Sequence, residues 1–355
     1  MADLVLKNVC LDGQITDVVI DRESGRIRSV SPTMLSGRDM GGAAVVAGLV
    51  DIHAHGFIGH DVMDGDKLGE MSLYLAQNGV TAWCPTTTTN PLAELRQVVT
   101  GALPREGAQV LGFHLEGPYI SHRYCGALNT DHARLPDPAD FAGLEGRITL
   151  MTLAPELDGA LAYIQNAPFP IAVGHTEADY ACAKAAFEAG AACVTHTFNA
   201  MPPMHHREPS VVGAALTENA YVQVISDGIH LHPAVVLALY RMFGSERMIL
   251  ISDAISATGL SDGDYMLGGK RVLVRNGVAR NEAGALSGST VTLLECVKRA
   301  ISFGIPRKEA LKMASATPAA MLGVKKGRIA PGYDADILVV DDDLNVLECI
   351  LSHCL

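Results

Sequence analysis

From Leu49 onward the chain repeats one pattern: a short apolar run, a ligand-type or turn residue, then a longer stretch with helical spacing. The apolar runs are Leu49–His55, Val80–Pro85, Val110–Glu116, Ile148–Ala154, Ile171–His175, Ala192–His196, Tyr221–Ser226 and Met248–Asp253. Each has strand length and strand composition, so each reads as a buried strand. Helical stretches lie between most of them: Asp66–Asn78, Leu92–Leu103, Gly159–Gln165, Glu177–Ala189 and Pro233–Phe243. Glu177–Ala189 is the clearest, dominated by Ala, Lys and Glu and stopped by Gly190. Eight strands alternating with helices predict an α/β fold, a (β/α)8 barrel. An open doubly wound sheet is the alternative. No Gly-x-Gly-x-x-Gly follows the first strand, which weakens its nucleotide-binding form.

The flanks are patterned differently. Residues 3–31 alternate in strand fashion around a turn at Glu23-Ser24-Gly25 and predict a small antiparallel sheet. After Asp253, Lys270–Val278 reads as a hairpin with Asn276-Gly277 at its turn. Ser289–Phe303 and Pro306–Leu322 read as helices that close the barrel. The tail returns to strands through Ile337-Leu338-Val339-Val340 and is expected to join the N-terminal strands. The expected organisation is a small β-sandwich domain built from residues 1–47 and 323–355, beside a barrel of residues 48–322.

Composition narrows the function classes. Hydrophobic residues make up 48% and charged residues 19%, as in a globular enzyme rather than a disordered chain. The net charge of −12 argues against general binding of nucleic acid or anionic membrane, so an anionic substrate needs a local cluster of donors. The 8 cysteines are scattered without a Cys-x-x-Cys pair, and the several that lie in apolar runs read as reduced, buried thiols. Neither a signal peptide nor a run long enough to span a bilayer is visible, so the cytoplasm is the expected compartment.

The chemistry sits at the strand ends. Strand one ends in His53-Ala54-His55, and residues i and i+2 of a strand share a side. Strand three ends in Glu116, strand five in His175, strand six in His196 and strand eight in Asp253. A barrel brings all these ends to one face. Four histidines and two carboxylates there suit one or two divalent transition-metal ions. Singly, each has a plain structural use as a loop hydrogen-bonder or helix cap. Together they predict metal-assisted hydrolysis of an amide or ester, with Asp253 taking a proton from water and passing it to the leaving group. His114, two residues before Glu116, reads as a supporting partner rather than a ligand. Arg207 and His230 stand in loops on the same side and suit a phosphate or carboxylate, although Arg207 reads equally well as a surface residue.

Several stretches carry a resemblance: His53-Ala54-His55, His114-Leu115-Glu116-Gly117-Pro118, Gly174-His175-Thr176, Thr195-His196-Thr197-Phe198-Asn199-Ala200-Met201, Asp227-Gly228-Ile229-His230 and Ser252-Asp253-Ala254. With Leu286-Ser287-Gly288-Ser289 and the tail from Gly327 to Asp341, they resemble the N-acetylglucosamine-6-phosphate deacetylase family of the amidohydrolase superfamily over nearly the whole chain. The resemblance implies a barrel with a small β-domain from both ends, and release of acetate from N-acetyl-D-glucosamine 6-phosphate. It implies Glu116, His175 and His196 as ligands of a principal ion, and His53 and His55 as ligands of a second ion bridged by Glu116. Zn2+ is the expected metal, with Fe2+, Mn2+ or Co2+ as alternatives. Asp253 is implied as the acid/base; Asn199, Ala200 through its backbone, and Arg207 as phosphate contacts; His230 and Ala127 as further substrate contacts. A homodimer in which the arginine reaches the neighbour's site is also implied.

One stretch departs from the family pattern. Gly126-Ala127-Leu128-Asn129 carries leucine where the family commonly has a histidine that touches the sugar. His122 or His132 is close enough in sequence to replace it. The departure keeps other N-acetylated sugar phosphates open, the galactosamine epimer foremost. A cyclic-amide hydrolase of the same superfamily is a weaker rival, because strand four has no lysine. A non-catalytic binding protein is weaker still, because every ligand-type residue is in place.

Overall fold

The computed structural model describes residues 3–32 and 36–355. Eight strands form the barrel: β1 (Leu49–Ala54), β2 (Val80–Thr87), β3 (Phe113–Glu116), β4 (Ile148–Leu153), β5 (Ile171–Val173), β6 (Cys193–Val194), β7 (Tyr221–Ile225) and β8 (Met248–Ile251). They pair in parallel in that order. The ring closes between β8 and β1 through an isolated parallel bridge, Ala54 to Ala254. The expected strands are therefore present, several shortened at their ends, where the functional residues turn out of the ladder.

The helices are α1 (Leu68–Gln77), α2 (Leu92–Thr100), α3 (Ala160–Asn166), α4 (Tyr180–Glu188), α5 (Ser210–Thr217), α6 (Pro233–Arg247), α7 (Leu293–Ser302), α8 (Arg307–Met313) and α9 (Ala316–Leu322). Alternation along each strand splits the apolar residues into two sets. Val50, Ala82, Leu150, Ala172, Cys193, Ile225 and Ile249 come from opposite sides of the ring and meet in its interior. Trp83, Met151, Val173, Val222 and Leu250 face the helices instead.

Three helical readings are corrected. α5 was not expected; its sequence Ser-Val-Val-Gly-Ala-Ala-Leu-Thr has six buried positions and so no polar face to reveal helical periodicity. Pro306–Leu322 is two helices. Pro318 lacks an N–H and fits only the first turn of a helix, so the chain restarts at Ser315 (φ −137°, ψ −78°). Ser289–Val291 is not helical. The helix begins after Thr292, whose side chain and that of Glu295 form a capping box.

The terminal strands form one mixed seven-stranded sheet. Its order is 346–350, 337–340, 44–47, 4–11, 14–21, 26–31, with Arg38–Asp39 added to the strand Leu4–Leu11. Leu6, Val18, Ile20, Ile27 and Val45 pack with Ile337 and Val339 as a separate core. On the same strand Leu338 and Val340 join the barrel's helix-side core. The two-residue period of one strand thus ties the two units together. Beside it, Lys326 is buried with its Nζ 2.6 Å from Asp336 and 3.1 Å from Asp334. Lys326→Met should cost about 3–5 kcal/mol of stability, because Asp336 is left buried without its cation. Urea unfolding measures this, and a change under 1 kcal/mol would show the pair to be dispensable.

The hairpin at Asn276-Gly277 is present, both residues having positive φ (53° and 71°). It is part of a three-stranded sheet, Gly263–Leu267, Lys270–Arg275 and Val278–Asn281.

Candidate active site

The strand ends converge as the sequence predicts. Glu116, at the end of β3, is the hub. Its Oε1 lies 3.2 Å from His53 Nε2, 3.1 Å from His175 Nε2 and 3.0 Å from His196 Nε2, and its Oε2 lies 3.3 Å from His55 Nε2. Asp253 Oδ1 is 3.5 Å from His53 Nε2 and 3.3 Å from His55 Nε2. Two groups emerge, His53–His55–Asp253 and Glu116–His175–His196, each with ligand atoms within 4.8 Å of one another and all buried.

The backbone makes this convergence at a cost. His175 (φ 47°), His196 (φ 24°) and Asp253 (φ 49°) all sit in the left-handed region just past a strand end. Non-glycine residues there store on the order of 1–3 kcal/mol each, and persist only where the surroundings over-determine them. Here the barrel ladder ends and the side chain must swing inward.

Outer partners fix the imidazoles. His53 Nδ1 faces Gln223 Oε1 at 3.0 Å, His55 Nδ1 faces the Thr86 carbonyl at 3.1 Å, and His175 Nδ1 faces the Tyr124 carbonyl at 3.1 Å. Each acceptor requires a proton on Nδ1, so each Nε2 presents a lone pair to the centre. Those nitrogens then meet each other, His53 to His55 at 3.3 Å and His175 to His196 at 3.0 Å. Lone pairs and carboxylate oxygens pointed at one space suit a divalent cation.

The electrostatics agree. Burial favours a neutral Glu116, but His53, His175 and His196 hold its carboxyl well below the usual range. Burial likewise opposes charge on Asp253, yet His53 and His55 keep it low. Burial disfavours a charged His55, but the hydrogen bonds that Asp253 and Glu116 accept from it raise its pKa well above the ordinary value. Two buried carboxylates thus demand positive charge. His114 is not a ligand. Its Nε2 bonds Thr152 Oγ1 at 2.8 Å, its ring packs edge-on to His53, and burial with His53 nearby pushes its pKa far down.

A cavity of ≈ 260 Å³ opens over the cluster. His230, Asn199, Ala200 and Ala127 line it. His230 Nδ1 is 2.7 Å from Asp227 Oδ2, and Asp227 Oδ1 accepts from the backbone of Ile229 and His230. Burial opposes charge on His230 but Asp227 raises its pKa. The ring is therefore locked with its other nitrogen available as a donor.

Arg207 is elsewhere within this chain. It is exposed, its Nη1 donates to His206 Nε2 at 2.6 Å, and it borders a separate groove with Arg123, Tyr124 and Tyr180. Leu128 does line the cavity, whereas His122 and His132 do not.

Sequence reasoning missed the apolar wall made by Leu267 of the three-stranded sheet and by Ala285 and Leu286 of the segment that follows it. It also missed Gln223, whose signal was a single amide inside the apolar strand β7. Gly288 (φ 62°) completes the wall; a Cβ there would stand 2.8 Å from the Asp253 carbonyl oxygen.

Comparison with known proteins places this architecture among relatives. The family model described as amidohydrolase family matches residues 44–352. N-acetylglucosamine-6-phosphate deacetylase of Vibrio furnissii is 39% identical over 327 residues, covering 86% of this chain and 81% of the relative. N-acetylgalactosamine-6-phosphate deacetylase of Escherichia coli O157:H7 is 35% identical over 353 residues, covering 94% and 93%. A solved structure of a Mycobacterium smegmatis N-acetyl-D-glucosamine-6-phosphate deacetylase mutant, in complex with N-acetyl-D-glucosamine-6-phosphate, superposes with a TM-score of 0.91. It shares 34% identity and covers 99% of each chain.

Proposed function

As this chain belongs to the amidohydrolase family, we propose that it removes the acetyl group from N-acetyl-D-glucosamine 6-phosphate, giving D-glucosamine 6-phosphate and acetate. The observation that carries the reading is the cluster of His53, His55, Glu116, His175, His196 and Asp253 under one cavity. Glu116, His175 and His196 would hold a principal divalent ion. His53 and His55 would hold a second, with Glu116 between the two. Zn2+ suits these nitrogen and carboxylate donors best, and Fe2+, Mn2+ and Co2+ can take the same set. Such an ion, when bound, brings the pKa of water to about 7 and polarises an amide carbonyl.

The chain's own residues do the rest. Asp253, held low in pKa, takes a proton from the attacking water and returns it to the leaving amine. His230, fixed by Asp227, donates a hydrogen bond to the acetyl oxygen, where negative charge develops. Asn199, the Ala200 backbone and Ala127 hold the phosphate and sugar at the cavity wall. Arg207 reaches the phosphate of a neighbouring copy in a homodimer, which accounts for its distance from the cavity of its own chain.

The second reading is the galactosamine epimer. Leu128 supports it, since a side chain without donor or acceptor lines the cavity with 5% of its surface exposed. The Escherichia coli relative, which is named for that epimer, supports it too. Acetate release decides between the two. N-acetylglucosamine 6-phosphate should exceed N-acetylgalactosamine 6-phosphate by at least tenfold in kcat/KM, a difference of about 1.4 kcal/mol. Unphosphorylated N-acetylglucosamine should be poorer than either. The reverse order would support the epimer. No turnover of any of the three by protein carrying Zn2+ would reject the substrate class.

A further inference from the structure

The seam where the barrel closes is its weakest pairing. Every other neighbouring pair of barrel strands shares a ladder, but β8 and β1 share one isolated bridge, at Ala54 and Ala254. Two backbone bonds flank it, Asp253 N–H to the His53 carbonyl at 2.9 Å and His55 N–H to the Ala254 carbonyl at 2.7 Å. Further down, Val50 N–H bonds the Ala314 carbonyl, so the start of β1 is tied to the α8–α9 junction rather than to β8. The β1–β2 register also slips between Asp51 and Ala54, as at a bulge.

One side chain fills the gap. Asp51 is wholly buried. Its Oδ2 accepts the Ser252 hydroxyl at 2.6 Å, and its Oδ1 lies 3.4 Å from Ser252 N and 3.3 Å from His53 N. The carboxylate thus stands where a ladder carbonyl would, and serves both strands at once. Ser252 is held on its other sides too: Ser289 Oγ donates to its carbonyl at 2.5 Å, and Ala254 N–H donates to its hydroxyl at 3.2 Å. Asp253 follows immediately in its left-handed conformation. A strained residue keeps its geometry only where its neighbours are fixed, and Ser252 is the neighbour that this clamp fixes.

We infer that Asp51 is a positioning residue for Asp253, acting through Ser252 across the β1–β8 seam. The inference rests on the acid/base role given to Asp253 above. Asp51 does not line the cavity.

The test uses the full-length, metal-loaded protein. Ser252→Ala removes the short bond and leaves Asp51 its backbone donors, which protects folding. It should lower kcat by about tenfold or more, as expected for a misplaced acid/base, with KM and bound metal unchanged. Ser252→Thr keeps the hydroxyl and should restore most of the loss. Asp51→Asn should act alike, and the double variant should be no worse than either single one, because the two residues form one unit. Hydrogen–deuterium exchange of the segment 248–256 should rise in Ser252→Ala. That reading of the clamp holds even if the wild type turns over a different substrate. A kcat within twofold of wild type in Ser252→Ala, or a loss matched by loss of metal, would overturn the inference. So would additive single variants or unchanged exchange.

Discussion

Asp253→Asn should remain folded and keep its metal, yet lose about 10²–10⁴-fold in kcat, the range that a positioned general acid/base contributes. The side chain keeps its shape and can still contact His53 and His55, which lie 3.5 and 3.3 Å from Oδ1. What it loses is the capacity to accept a proton from water and release it to the amine. KM should change little, since Asn199, Ala200 and His230 are untouched. Steady-state kinetics with metal analysis of the same sample checks this. Because Asp253 also stands within ligand distance of the His53–His55 pair, a fall in activity that tracks a fall in bound metal would make it a ligand first. Near-normal kcat would remove it from the mechanism.

Glu116→Gln should act at an earlier step. Glu116 touches all four histidines of the cluster, so its charge organises both candidate ion positions. The amide keeps the volume but offers one acceptor in place of two and carries no charge. Removing an outer partner of a metal ligand costs about 10–100-fold in metal affinity; removing this shared carboxylate should cost more. Dialysed Glu116→Gln should contain little metal where the wild type retains it, and activity should return only at high added Zn2+. Wild-type metal content with wild-type activity would show that the histidines suffice.

The barrel and its chemistry were legible for a shared reason: each strand is a short apolar run with a polar residue at its end, and barrel topology puts those ends on one face. His53, His55, Glu116, His175, His196 and Asp253 could be listed together without any contact being known. The parts that escaped have physical causes. α5 is buried on nearly every side and carries no period. The break at Ser315 depends on Pro318, three residues into a stretch otherwise suited to helix. The wall of Leu267 and Leu286 comes from a sheet and the segment after it, distant in sequence from most barrel ends. Gln223 was visible as one amide in β7, but the imidazole it would serve was not. Arg207 shows a different limit, because a single chain places it in its own groove.

The strand Ile337–Val340 has a consequence for the order in which the molecule is made. The strand Leu4–Leu11 and its neighbours are made before the barrel, yet their sheet is incomplete without a strand more than 300 residues away in sequence. Pairings so distant form late, since closing the intervening loop must precede any gain from contact. The early strands therefore wait with an open edge, at Ala44–Ala47, throughout synthesis of the barrel. Ile337–Val340 then seals that edge with Ile337 and Val339 while Leu338 and Val340 complete the helix-side core. Pairing of that strand and closure of both cores become one event.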